Sequence, residues 1–176
     1  VAGAASNGTL LRADVAPGTY TSTETVPAGW DLTSIVCDDG DSTGDVGTAT
    51  ATFRVAAGET ITCTFTNTKK GQIIIEKQTL PDGDPATFEF TGDVSGDLSD
   101  GQTASQAVIP GQYTSTETLP VAGWDLTDIT CDDNNSSGVI ATGVATFNVE
   151  PGETVTCTFT NRSEERRVGK ECRSRW

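Results

Sequence analysis

Thr154 to Asn161 reads TVTCTFTN, and the alternation in this stretch decides the fold. Val155, Cys157, Phe159 and Asn161 fall on one side of an extended chain, and Thr154, Thr156, Thr158 and Thr160 on the other. A period of two with β-branched residues is the mark of a strand covered on one face. The apolar set belongs to the core, so Asn161 faces inward with it. Residues Cys63 to Asn67 repeat the pattern as CTFTN.

Working outward, the echo extends over most of the chain. Tyr20 to Thr25 and Tyr113 to Thr118 both read YTSTET. Trp30 to Thr33 recurs as Trp124 to Thr127, and Cys37-Asp38-Asp39 as Cys131-Asp132-Asp133. A repeat of roughly 90 residues is too long for a solenoid unit and indicates tandem domains. The boundaries read as 71–161 for a complete copy and 1–67 for an N-terminally truncated one. Gly8 aligns with Gly101, so the first copy lacks a counterpart of Gly71 to Thr91, and the natural protein is expected to continue upstream.

Arg162 to Trp176 carries six of the eleven basic residues and reads as an in-frame translation of a sequencing-library adapter. This tail is taken as non-native, with Cys172 an accidental fifth cysteine. Three of the 25 acidic residues also lie there, which leaves 5 basic against 22 acidic over residues 1–161, a net charge of −17. Such a balance opposes nucleic-acid binding, which needs clustered Lys and Arg. No apolar run is long enough to span a membrane.

The chain has no His and no Met, and it shows no helical periodicity. Turns such as Pro81-Asp82-Gly83, Asp100-Gly101, Pro110-Gly111 and Pro151-Gly152 divide short β-branched runs. This spacing predicts an all-β, antiparallel sandwich. Seven strands are expected in the complete copy, near 71–79, 86–92, 104–109, 111–119, 124–131, 139–149 and 153–161.

Alternation brings two further polar residues inward. Lys77 shares a face with Ile73 and Ile75; Glu117 shares one with Tyr113, Ser115 and Leu119. A lone Lys, Glu or Asn is costly to bury. The three together point to a reaction.

With G-x-I-I-I-E-K opening the copy, P-G-x-Y-T-x-T-E-T at its middle and T-F-T-N closing it, the sequence resembles the CnaB-like, or prealbumin-like (SpaA-type), domains of bacterial surface adhesins and pilins. The resemblance covers Gly71 to Asn161 and, less the missing strands, Gly8 to Asn67. It implies a spontaneous isopeptide bond between Lys77 and Asn161 promoted by Glu117. Burial disfavours the ammonium and keeps the carboxyl protonated, so the free amine attacks the amide while Glu117 polarises the carbonyl and shuttles protons. The alternative is a Lys77 that snorkels to the strand end and an Asn161 that merely ends a strand. In the first copy Glu24 and Asn67 are the counterparts, with no lysine on an equivalent first strand; Lys69 and Lys70 read as solvated linker residues.

Cys37 and Cys63 are 26 residues apart, as are Cys131 and Cys157, in matching contexts. Disulfides are expected, which suits an oxidising compartment. Two cysteines per copy without His are too few ligands for structural zinc, and no metal or cofactor is expected. The acidic loops Asp38 to Asp45 and Asp93 to Asp100 lack EF-hand spacing and read as solvated turns. Leu119-Pro120-Val121-Ala122-Gly123 reads as a turn and not a sorting signal. Asn7-Gly8-Thr9 and Asn134-Asn135-Ser136 fit glycosylation sequons weakly.

The chain thus reads as a non-enzymatic stalk module of an extracellular, cell-surface protein whose partners are neighbouring repeats of the same chain. The short Thr68 to Gly71 link favours a semi-rigid array. The alternative is an adhesin-type module that binds an extracellular glycan or protein ligand through Trp124 and nearby loops.

Overall fold

The computed structural model describes Gly3 and residues 6–164. Two compact units divide the chain, Val1–Thr68 and Lys69–Trp176. The proposed non-native tail lies outside the described residues from 165 onward, while Arg162 and Ser163 continue the last strand.

In the first unit the strands are β1 (Gly18–Thr23), β2 (Trp30–Cys37), β3 (Thr43–Asp45), β4 (Thr50–Val55) and β5 (Cys63–Lys69). One sheet has the order β1-β4-β3 and the other pairs β2 with β5. Among the described residues, Leu32 and Ala51 are the only buried apolar side chains of this unit.

The second unit contains β6 (Gly71–Leu80), β7 (Phe88–Gly92), β8 (Gly96–Leu98), β9 (Thr103–Val108), β10 (Gly111–Glu117), β11 (Trp124–Cys131), β12 (Ser137–Val139), β13 (Val144–Val149) and β14 (Thr154–Ser163). They form two sheets, β12-β13-β10-β7-β8 and β11-β14-β6-β9. The seven expected strands become nine. The expected 139–149 strand is broken by a 3-10 turn over Ile140–Thr142 that ends at Gly143, whose φ is 68°. β8 is an addition of three residues with a single buried side chain, Leu98.

Alternation sets the core as anticipated. Ile73, Ile75, Val155, Cys157 and Phe159 are fully buried, and Phe90 meets Phe159 edge-on at 5.0 Å between ring centroids. The first and last strands lie side by side and parallel, with Ile73 opposite Val155 and Lys77 opposite Phe159. β9 flanks β6 on its other side, antiparallel, from Gly71↔Val108 to Glu76↔Thr103. Only glycine fits at position 71: a Cβ there would lie 2.3 Å from Val149 Cγ1 and 2.8 Å from the Glu153 carbonyl.

Candidate functional site

β6 delivers Lys77, the end of β10 delivers Glu117 and β14 delivers Asn161, and all three are fully buried. Each sits toward one end of an inward row, which is why the folding of three strands gathers them. Lys77 Nζ donates to Asn161 Oδ1 at 2.9 Å, to the Gln78 carbonyl at 2.8 Å and to the Phe159 carbonyl at 3.1 Å. Asn161 Nδ2 donates to Glu117 Oε1 at 2.5 Å. Nζ stands 3.9 Å from Glu117 Oε2, an oxygen with no hydrogen-bond partner. Full burial leaves no room for the snorkelling alternative.

Burial pulls the Lys77 amine down to about 8, against the opposing charges of Glu117 and, more weakly, Asp100. Burial likewise pushes the Glu117 carboxyl up, against Lys77 and the Asn161 hydrogen bond. Both shifts favour the neutral pair. The Phe88 ring lies 4.2 Å from Nζ and is capped edge-on by Trp124 at 5.5 Å, which closes the site to water.

The amide is held at both ends. Its oxygen faces the lysine and its nitrogen faces the carboxyl group, so Glu117 lies beside the leaving group and not beside the carbonyl oxygen. Two buried polar residues on the same inward rows complete the surroundings. Thr79 follows Lys77 on β6; its N–H donates to Asp100 Oδ1 at 2.6 Å, which pins the strand end. Ser115 precedes Glu117 on β10, and its hydroxyl accepts from Val94 N and donates to Val94 O. Ser115 was visible in the alternation that exposed Glu117. The Phe88 contact has no sequence signal, because it depends on how the sheets stack.

Disulfides join Cys37 to Cys63 and Cys131 to Cys157. In the first unit Asn67 Nδ2 donates to Glu24 Oε1 at 2.7 Å. Asn67 Oδ1 and Glu24 Oε2 are buried atoms without a partner. Of the acidic loops, Asp93 and Asp100 accept backbone N–H groups from Thr114, Thr79 and Gly83. Asp39, Asp41 and Glu59 bring carboxylate oxygens within 4.8 Å of one another. Leu119 to Gly123 is a turn in which Trp124 N bonds the Val121 carbonyl. Among the described residues no helix is long and apolar enough to cross a membrane.

A family model described as a prealbumin-like fold domain matches residues 1–69 and again residues 73–163. An adhesin from Mobiluncus mulieris, described as containing intramolecular disulfide, isopeptide and ester bond cross-links, is similar at 16% identity and a TM-score of 0.47. That alignment covers 58% of this chain and 44% of the adhesin. The major pilin T-13 of Streptococcus pyogenes is similar at 15% identity and a TM-score of 0.39, over 88% and 70% of the two chains. The minor pilin of Streptococcus agalactiae is similar at 15% and 0.35, over 66% and 65%. This chain spans less than half the length of the Mobiluncus adhesin. These distant likenesses carry no functional weight, and no curated protein matches.

Proposed function

The chain belongs to the prealbumin-like fold domain family, and from that premise we propose that it is a structural repeat module of an extracellular bacterial surface protein. Its second unit crosslinks itself by an amide bond between Lys77 and Asn161. The carrying observation is the fully buried Nζ held 2.9 Å from Asn161 Oδ1 with Glu117 on the amide nitrogen.

The chemistry balances within the three side chains. Lys77 passes a proton to Glu117 Oε2, and the neutral pair is the form that burial favours. The amine then attacks Asn161 Cγ. As the tetrahedral adduct collapses, Glu117 protonates Nδ2, the Cγ–Nδ2 bond breaks and ammonia leaves. The new Nζ–Cγ amide sheds its extra proton to the carboxylate, so the net change is one C–N bond exchanged for another, one ammonia released and Glu117 left protonated. It is a single self-modification without turnover.

Intact mass of the whole chain under reducing conditions tests this reading. The expected mass is one ammonia below that of the sequence, with the full mass restored in Lys77→Ala. Full mass in the unmodified protein would overturn the crosslink.

Neighbouring repeats of the same chain are the natural partners. A second reading, an adhesin-type module for a glycan or protein ligand, rests on Trp30, a residue 41% exposed. Trp124, the other tryptophan at a strand start, is half-buried and packed against Phe88. Glycan-array binding lost in Trp30→Ala would favour that reading; no binding would remove it.

A further inference from the structure

Lys77 stands where its strand begins to lose support. On the side of β9, the pairing of β6 ends at Glu76↔Thr103, one residue short of Lys77. On the side of β14 it continues through Lys77 to Leu80. Strand ends fray where a neighbour is missing, and an amine on a long side chain follows its backbone. Position matters here, because displacing a reacting group by about 1 Å can cost a factor of roughly 100 in rate.

The loop before β9 takes over where the ladder stops. Lys77 N donates to the Gln102 carbonyl at 2.9 Å, and Gly101 N donates to the Lys77 carbonyl at 2.8 Å. Asp100 extends this hold past Lys77: Thr79 N donates to its Oδ1 and Gly83 N to its Oδ2, both at 2.6 Å. Each carboxylate oxygen thus grips one backbone N–H, in bonds that an ionised acceptor strengthens. One amide belongs to the end of β6 and the other to the turn beyond it. Thr79 is the next residue on the inward row of Lys77 and is fully buried. The loop is itself braced, with Gln102 N on the Ser99 carbonyl and Ser99 N on Gln102 Oε1.

We infer that Asp100 is a positioning residue for the Lys77–Asn161 reaction: by clamping Thr79 and Gly83 it fixes the end of β6 and so keeps Nζ against Asn161. The inference rests on the Lys77–Asn161 reading above. Asp100 takes no part in bond making, and Glu117 remains the group that moves protons. Two carboxyl groups, Glu117 from β10 and Asp100 from the loop, act on the Lys77 charge, and both oppose its loss. The other groups around Nζ do not titrate: Asn161, the Gln78 and Phe159 carbonyls and the Phe88 ring. Asp100 therefore leaves a second mark on the reaction. Its charge helps the buried pair to keep the proton that Glu117 passes to the leaving group, so the alkaline fall in rate comes at higher pH with Asp100 than without it.

The test follows ammonia loss by intact mass as the full chain refolds from urea at a series of pH values, starting from material that still has its full mass. Asp100→Ala is expected to react at least roughly tenfold more slowly than the unmodified chain. Asp100→Asn, which retains one acceptor oxygen, is expected to fall between them. In both variants the alkaline fall in rate is expected at lower pH. Hydrogen exchange is expected to quicken at Thr79 and Gly83 while β10 and β14 keep their protection. An unchanged rate in either variant overturns the proposal, as does a slowing matched by lost protection throughout residues 71–163. An alkaline limb that stays in place overturns it as well, because Asp100 would then act on the turn alone. If the unmodified chain keeps its ammonia at every pH, the Lys77–Asn161 reading fails instead, and this inference falls with it.

Discussion

The two units contain closely similar sequence motifs at two depths of burial. Local structure is indifferent to the difference. Thr33 bonds the Thr66 carbonyl as Thr127 bonds that of Thr160, Asp38 accepts from Thr62 as Asp132 does from Thr156, and each unit has its disulfide. Burial is not indifferent. Phe159 and Asn161 are fully buried, whereas Phe65 and Asn67 are half-buried and Trp30 is exposed. Turns, hairpins and disulfides therefore follow from short-range sequence, while the dry environment that shifts Lys77 and Glu117 comes from β6 to β9. The comparison separates what a motif encodes from what its neighbours supply.

The largest expected effect breaks the comparison at the crosslink. Asn161→Ala would remove a tie that closes an 84-residue span; loop-closure entropy puts its loss at about 4–5 kcal/mol. Urea unfolding read by segment-resolved hydrogen exchange is expected to show that loss in residues 71–163 and none in residues 8–68. An unchanged second unit would argue that no crosslink had formed.

Reducing the disulfides comes next, at roughly 3–4 kcal/mol per 26-residue loop. The first unit has few buried apolar side chains to fall back on, so it is expected to lose amide protection at a lower reductant concentration than the second. Equal loss in both units would show that the difference in burial matters less than the pattern implies.

In Asn161→Ala, Lys77 and Glu117 remain as a free buried pair, and pH then sharpens the contrast. Unfolded Lys77 holds its proton to about 10.5, whereas the folded group releases it near 8. Between these values the unfolded state binds more protons, so stability of the second unit rises with pH, by up to about 3 kcal/mol. Glu117, raised by burial, acts in the opposite sense at lower pH: stability falls as pH rises from its unfolded value toward its folded one. Denaturant midpoints from pH 7.5 to 10.5 check the upper limb, and a flat profile would mean Lys77 is hydrated.

The smallest effect concerns one residue of backbone. Ala49 sits at φ 51° where the second unit has Gly143 at φ 68°, and left-handed backbone costs a non-glycine residue about 1 kcal/mol. Ala49→Gly is therefore expected to raise the first unit's thermal midpoint slightly. Gly143→Ala is expected to lower that of the second by more, because its Cβ would lie 2.6 Å from the Glu117 carbonyl oxygen.

Much of this was legible from alternation alone. The inward rows of β6, β10 and β14 identify Lys77, Glu117 and Asn161 before any contact is known, and Ser115 belongs to the same row. Alternation does not reveal which strands become neighbours. The parallel pairing of β6 with β14 is a long-range choice made by the core, and it alone brings Nζ to Asn161. The break at Gly143 was hidden because Val139 to Val149 is apolar enough to read as one strand. β8 escaped because three residues carry too little pattern to register.

The parallel pairing of first and last strands has a mechanical consequence. Tension applied at Gly71 and Ser163 would load the β6–β14 hydrogen bonds in shear, all at once, and would not unzip them one by one. With Lys77 joined to Asn161, the load would pass across the new amide and bypass everything between. The span so enclosed, 84 positions from Lys77 to Asn161, could not pay out as slack, and roughly 300 Å of extended chain would stay hidden under load. A stretching trace of the intact protein would then lack that length, and Lys77→Ala would restore it.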